Sequence, residues 1–298
     1  MKWLALILIL LAGCQFGSQK KETFEIPEIH SGTEGLVMEF IENAPPKETY
    51  ERSLFPIVVE MKNRGAYEIR GGIFTVGYEN QYMSIKEQDV GRFDLPGKTM
   101  YNPEGEFIRI PITAEAKQLG PQQTKYDSAL SFNACYAYRT EASAFVCVDT
   151  DLLGQNKNKV CSPSDVDLKQ GQGAPIAITS LETRMLPSEN PAMARADFII
   201  HFDNLGTGEP MSSREIVDAC TGKPVGEWGT ISIASARLSE KQLQCNPKTI
   251  KLGERDNKMV CSVEVEKIRG TYNAPVRIDL DYGYMQTINT GVAIVKVT

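Results

Sequence analysis

The sequence offers little for chemistry. Only two of its 298 residues are histidine, His30 and His201, and no two cysteines stand in a Cys-x-x-Cys spacing, so a zinc site lacks ligands. Neither a Gly-x-Ser-x-Gly elbow nor a Cys/His nucleophile signature occurs, and no glycine-rich phosphate loop or cofactor fingerprint is present. The reading is of a protein that is not an enzyme and takes no cofactor or metal. Positive charge is also scarce. Against 38 Asp and Glu there are 32 Lys and Arg, the net charge is −6, and no basic block exceeds Lys20-Lys21, which argues against nucleic acid as a partner. Long apolar runs are missing as well: Trp3 to Ala12 is only ten residues, where a spanning helix needs about 20.

That short run is informative for what surrounds it. Lys2 precedes it and the polar stretch Gln15 to Glu22 follows, which is the layout of a secretory signal peptide. It ends in Leu11-Ala12-Gly13-Cys14, which resembles the lipobox of prokaryotic lipoproteins. The resemblance implies cleavage before Cys14 and lipid transfer to its thiol. Each methylene buried in the bilayer would contribute about 0.8 kcal/mol, so two or more chains would anchor the protein durably. Residues 1–13 are therefore read as signal peptide and 14–33 as a lipidated tether, with the remainder extracytoplasmic on a membrane surface. Gln15 is not aspartate, which in a two-membrane bacterium permits outer-membrane sorting; an archaeal host is equally compatible.

Beyond the tether the pattern is β. Leu36, Met38 and Phe40 alternate with Val37, Glu39 and Ile41, and Phe55, Ile57, Val59 and Met61 repeat the alternation after the turn Asn43-Ala44-Pro45-Pro46. Residues 69–78, 107–112 and 129–138 continue it, with a one-turn helix expected over 114–119. Short period-two runs rich in Val, Ile, Phe and Tyr, broken by Gly, Pro and Asn, are the signature of a sandwich. The second half repeats the plan. FPIVVEMKNRG at 55–65 is echoed by ADFIIHFDNLG at 196–206, and CYAYRTEASAFVCV at 135–148 by DYGYMQTINTGVAIV at 281–295. Asn63 and Asn204 lie 141 apart, Tyr136 and Tyr282 146 apart, which argues for duplication. The fold class expected is all-β, two tandem immunoglobulin-like β-sandwich domains at 34–153 and 174–298, joined by a polar, glycine-rich linker at 154–173. Each Tyr-x-Tyr segment is read as a strand, a polar turn at Thr140 to Ala142 or its equivalent, and a closing strand.

The Asn-x-Gly endings, the CYAYRTEASAFVCVD segment and QGAPIAIT together resemble immunoglobulin-like modules of prokaryotic surface proteins, including the cell-adhesion-related domain of bacteria, and a group of archaeal envelope proteins. The resemblance implies adhesion or binding through loops or strand edges. It departs from true immunoglobulin domains: Trp228 is the only tryptophan outside the signal, and Tyr136 follows its cysteine instead of preceding it.

Setting Cys14 aside leaves six cysteines, an even number that in an exported chain favours disulfides. Cys245 and Cys261 flank one strand and its return and are expected to pair. Cys135 with Cys147 across a hairpin would leave Cys161 for Cys220; the rival scheme joins Cys147 to Cys161 and Cys135 to Cys220. His201 with Asp203 could be written as half a catalytic dyad, but a solvated surface histidine is the plainer reading. Asp149 with Asp151 and Asp279 with Asp281 could offer carboxylates to calcium, which wants six to eight oxygens, or simply carry charge on the solvent face. Tyr136, Tyr138, Tyr282 and Tyr284 are either a glycan-stacking platform or core. The longest insertions, 78–105 and 207–228, are where contact with a protein or glycan partner is expected. The alternative to a binding module is a structural subunit or spacer of an envelope assembly.

Overall fold

A computed structural model describes residues 28–253, 257–267 and 270–297. The signal peptide, Cys14 and most of the tether lie outside the described residues. What is described is almost entirely strand. A four-stranded sheet in the order β1-β3-β7-β5 uses Leu36–Phe40, Leu54–Asn63, Phe107–Ala116 and Met83–Ile85. A five-stranded sheet, β15-β17-β11-β10-β9, uses Gln244–Asn246, Lys258–Glu266, Met193–Asn204, Ile176–Pro187 and Val166–Asp167. The third and largest contains strands of both halves: β14-β13-β18-β8-β4-β6, which are Lys241–Gln242, Thr230–Leu238, Thr271–Val295, Lys125–Asp149, Ile69–Tyr78 and Val90–Leu95. Three short strands attach at its margins, with β2 (Glu48–Tyr50) and β12 (Glu209–Met211) on β18, and β16 (Thr249–Lys251) on β13.

The alternation read from the sequence is the reason these elements form. In β3, Phe55, Ile57, Val59 and Met61 are buried and the residues between them are not. Burying one face of each strand removes apolar surface from water at about 25 cal/mol per Å², and the inward side chains of all three sheets join in one buried cluster.

The largest difference from the sequence reading concerns β8 and β18. Each is an unbroken strand of 25 residues, and the two pair antiparallel over their whole length. No turn interrupts Thr140 to Ala142. That stretch holds no Gly, Pro or Asn to reverse the chain, and the even-numbered residues stay inward through it: Tyr136, Tyr138, Thr140 and Ala142 are all buried while Arg139 and Glu141 face out. Thr140 is tolerated at 0% exposure because its hydroxyl donates to the Ile176 carbonyl at 2.6 Å and meets the Tyr282 hydroxyl at 3.0 Å. The helix expected over 114–119 is also absent, since Ala114 and Ala116 are inward residues of β7. The one α-helix among the described residues, α1, is Ile216–Cys220.

The long ribbon is centred on Ala137 opposite Gly283, so Tyr136 faces Tyr284 and Tyr138 faces Tyr282. β8 and β18 begin at Lys125 and Thr271, the same 146-residue spacing that separates Tyr136 from Tyr282. The duplication thus produces a pseudo-two-fold ribbon. β4 pairs with β8 over 130–135 and β13 with β18 over 276–281, the equivalent positions. The segment 154–173 is partly built into the fold: β9 lies within it, and Gln172 is buried, accepting from the Ile178 amide and donating to the Leu168 and Ile178 carbonyls.

Candidate functional site

The four tyrosines are core. Their rings sit 5.5 to 6.3 Å apart around the centre of the ribbon, all but excluded from solvent. Each hydroxyl has a partner related to another by the pseudo-two-fold. Tyr138 donates to Asn63 Oδ1 at 3.0 Å and Tyr284 to Asn204 Oδ1 at 2.9 Å; Tyr136 donates to Gln286 while Tyr282 meets Thr140. The Asn-x-Gly turns are the other end of this arrangement. Asn63 also accepts from the Gly65 amide and donates to the Tyr67 and Leu95 carbonyls, and Asn204 likewise accepts from Gly206 and donates to Gly208. Gly65 has no room for a side chain, because an added Cβ would meet the Tyr138 hydroxyl. Burial pushes all four phenols upward, Tyr284 to about 12. A glycan has no access to these rings.

The disulfides are Cys245–Cys261, Cys147–Cys161 and Cys135–Cys220, the second of the two schemes. A Cys135–Cys147 bridge is ruled out by β8: without a hairpin the two residues stand twelve positions apart along one extended strand, far beyond the roughly 6 Å that a disulfide spans. Cys135–Cys220 fastens the 207–228 insertion onto the outer face of the ribbon, where Cys220 packs with Ile73, Ile216 and Met285. One side of that insertion is therefore covered. Its other side, from Thr221 to Glu227, remains largely exposed, as are Met100 and Tyr101 in the 78–105 insertion.

His201 hydrogen-bonds Glu182 at 2.8 Å across β10 and β11, and Arg184, then His201, hold the Glu182 carboxyl below its ordinary value. The acidic pairs are taken up by the chain's own cations. Lys159 reaches Asp149, and Asp151 accepts the Gln155 and Asn156 amides. Burial would raise the Asp149 carboxyl, but Lys159, the Asp151 amide and Thr271 together hold it low. Arg139 grips Asp281 through two bonds of 2.6 and 2.8 Å, and Arg277 bonds Asp279 at 3.2 Å. Among the described residues no group of three or more His, Cys, Asp or Glu is placed to hold a metal.

What remains for a site is the second edge of β8. Even-numbered residues of β8 and β18 bond each other, as Thr150 to Gly270 and Lys296 to Thr124 continue at either end. Odd-numbered residues therefore turn their amides and carbonyls away from the partner strand. Pro275 sits within β18 without cost for this reason, its carbonyl taken by Ser239 and its missing N–H not needed. On β8 the odd residues from Ser131 to Cys135 are paired with β4. Beyond that, among the described residues, no strand pairs with this edge. Glu141, Ala142 and Ser143 there line a cleft of about 440 Å³, whose other walls are Glu28, His30, Asp167, Leu168, Gln170 to Gln172 and Arg277. Phe145, next along the edge, is 73% exposed. Arg277 is shared by Glu141 at 3.3 Å and Asp279, and Lys169 pairs with Asp167 at 3.4 Å, so the net negative charge of the cleft comes from Glu28 and from the two carboxylates that share Arg277.

No family model matches the chain, and neither does any curated protein. Among solved structures the chain is similar to the CupB6 tip adhesin from Pseudomonas aeruginosa, 8% identical over 89% of this chain and 99% of that one, with a TM-score of 0.19. The B domain of a biofilm associated protein matches at 7% identity over 89% and 87%, TM-score 0.15. The Fcho1 Mu homology domain of Danio rerio with bound Eps15 peptide matches at 7% over 91% and 97%, TM-score 0.13. Superpositions at this level carry no argument about role.

The cleft was not legible as a site in the sequence. Glu141 lies where a turn was expected and Ser143 directly follows it, and an edge is defined by which strands are not beside it, which local pattern does not encode.

Proposed function

We propose that the chain is a lipid-anchored extracytoplasmic surface protein that works as a binding or adhesion module, holding another macromolecule of the envelope at a sheet edge. The observation that carries this reading is an edge of β8 that no strand among the described residues pairs and that opens into a polar cleft. A row of amides and carbonyls left without a strand is a template for pairing, and natural sheets normally cover, bulge or charge such edges. Three disulfides support placement in an oxidising compartment, and the Leu11-Ala12-Gly13-Cys14 sequence supports a lipid at Cys14.

A second reading, a spacer in an envelope assembly, is favoured by the ribbon itself. Two fully paired 25-residue strands make a rod of about 80 Å at roughly 3.3 Å per residue. Cross-linking on intact cells separates the two. The binding reading predicts recovery of a discrete foreign partner, with Cys14→Ser releasing the chain from the membrane; a ladder containing only this chain would favour the spacer, and neither product would overturn both.

A further inference from the structure

We propose that the β8 edge at Glu141 to Phe145 accepts one extended polypeptide segment as an added strand, and that the segment carries a basic residue opposite Glu141 and an apolar residue opposite Phe145. This rests on the reading of the chain as a binding module and names the partner chemistry of that site. Three features converge. The amides and carbonyls of Glu141, Ser143 and Phe145 point away from β18, and among the described residues no strand meets them. The same side of the ribbon carries an added strand in the other half, six residues beyond the equivalent position: β2 lies on β18 over Ala293–Val295, which the 146-residue offset matches to Cys147–Asp149, with the Ala293 amide bonding the Lys47 carbonyl and the Glu51 amide bonding the Val295 carbonyl. The second half thus shows a strand added on this side of the ribbon, near its end.

The third feature is the shape and charge of the cleft. Asp167 and Leu168 line the cleft with Glu141 and Ser143, and its volume of about 440 Å³ suits a single extended chain. Side chains of an added strand alternate, and those on the outer face would lie opposite Glu141, Ser143 and Phe145. With Arg277 shared between Glu141 and Asp279 and with Glu28 nearby, the residue across from Glu141 is a Lys or Arg. The exposed Phe145 ring, two positions beyond Ser143 on the same face, requires an apolar neighbour to cover it. The recognition pattern is therefore a basic and an apolar residue four apart, in an order set by strand direction.

The test uses the full chain in detergent micelles and two fluorescent peptides of alternating Thr and Val, with Lys and Phe four residues apart in either order, read by polarisation. One of them is expected to bind saturably. Replacing its Lys by Glu weakens binding about fivefold, and Glu141→Lys in the protein reverses that preference. Ser143→Pro abolishes binding, because the added ring blocks the edge while the lost N–H serves no bond within the sheet. Should that variant fold poorly, methylating the peptide's edge-facing amides tests the same bonds in the unaltered protein. Binding by neither peptide, binding that survives amide methylation, or equal binding of Lys and Glu peptides overturns the proposal. So does self-association of the free chain that Ser143→Pro removes, which would assign the edge to a second copy. If a foreign partner is still cross-linked on cells while the peptides fail, the edge assignment falls and the binding reading stands.

Discussion

Asn63 is the residue on which most of the local order in the first half converges. It is fully buried, it satisfies the Gly65 amide and the Tyr138 hydroxyl with one oxygen, and it closes the Tyr67 and Leu95 carbonyls with its amide. The Asn-x-Gly pattern announces a turn, and a turn is what it makes; that the same side chain reaches 75 residues onward to a tyrosine is not written in either neighbourhood. Asn63→Ala leaves several buried groups unpaired and is expected to cost about 3 kcal/mol or more. Tyr138→Phe removes a single donor from an oxygen that keeps the Gly65 amide, and is expected to cost about 1 kcal/mol. Chemical denaturation of the two variants checks the ranking, and equal costs would mean that Asn63 acts only through Tyr138.

At the scale of elements, period-two alternation made most strands readable, because one face of each is buried and the other wet. It failed where polarity was mistaken for a turn. Thr140 is polar and buried, flanked by Arg139 and Glu141 on the outer face, and the strand runs on because the Ile176 carbonyl and Tyr282 satisfy its hydroxyl. Reading a hairpin there also kept open a disulfide scheme in which Cys135 pairs with Cys147 on its own strand, which the unbroken β8 excludes. The actual Cys135–Cys220 bridge closes 85 residues, against 14 for Cys147–Cys161. In the chain-entropy account the longer loop contributes about 4.5 kcal/mol and the shorter about 3. Replacing both members of each pair by alanine is therefore expected to lower the denaturation midpoint more for Cys135 and Cys220, and the reverse order would show that the insertion holds to the ribbon without its bridge.

For the whole molecule, the duplication seen in the sequence as two offsets becomes a ribbon with a pseudo-two-fold through Ala137 and Gly283. Its long strands place residues 286–295 of the second half beside 125–134 of the first, so the largest sheet is common to both. Nothing in a local pattern reports this, because pairing 146 residues apart is decided by which surfaces fit, not by which residues alternate. This side of the ribbon is only partly covered: β2 lies on the β18 edge at Ala293–Val295, while on β8 no described strand meets Glu141 to Phe145. The most direct measurement of that claim is residue-resolved amide hydrogen exchange on the free chain. The account predicts an alternation within one strand, with Glu141, Ser143 and Phe145 exchanging fast while Thr140, Ala142 and Ala144, bonded to β18, are protected; uniform protection across 140–145 would show that the edge is already paired and contradict it.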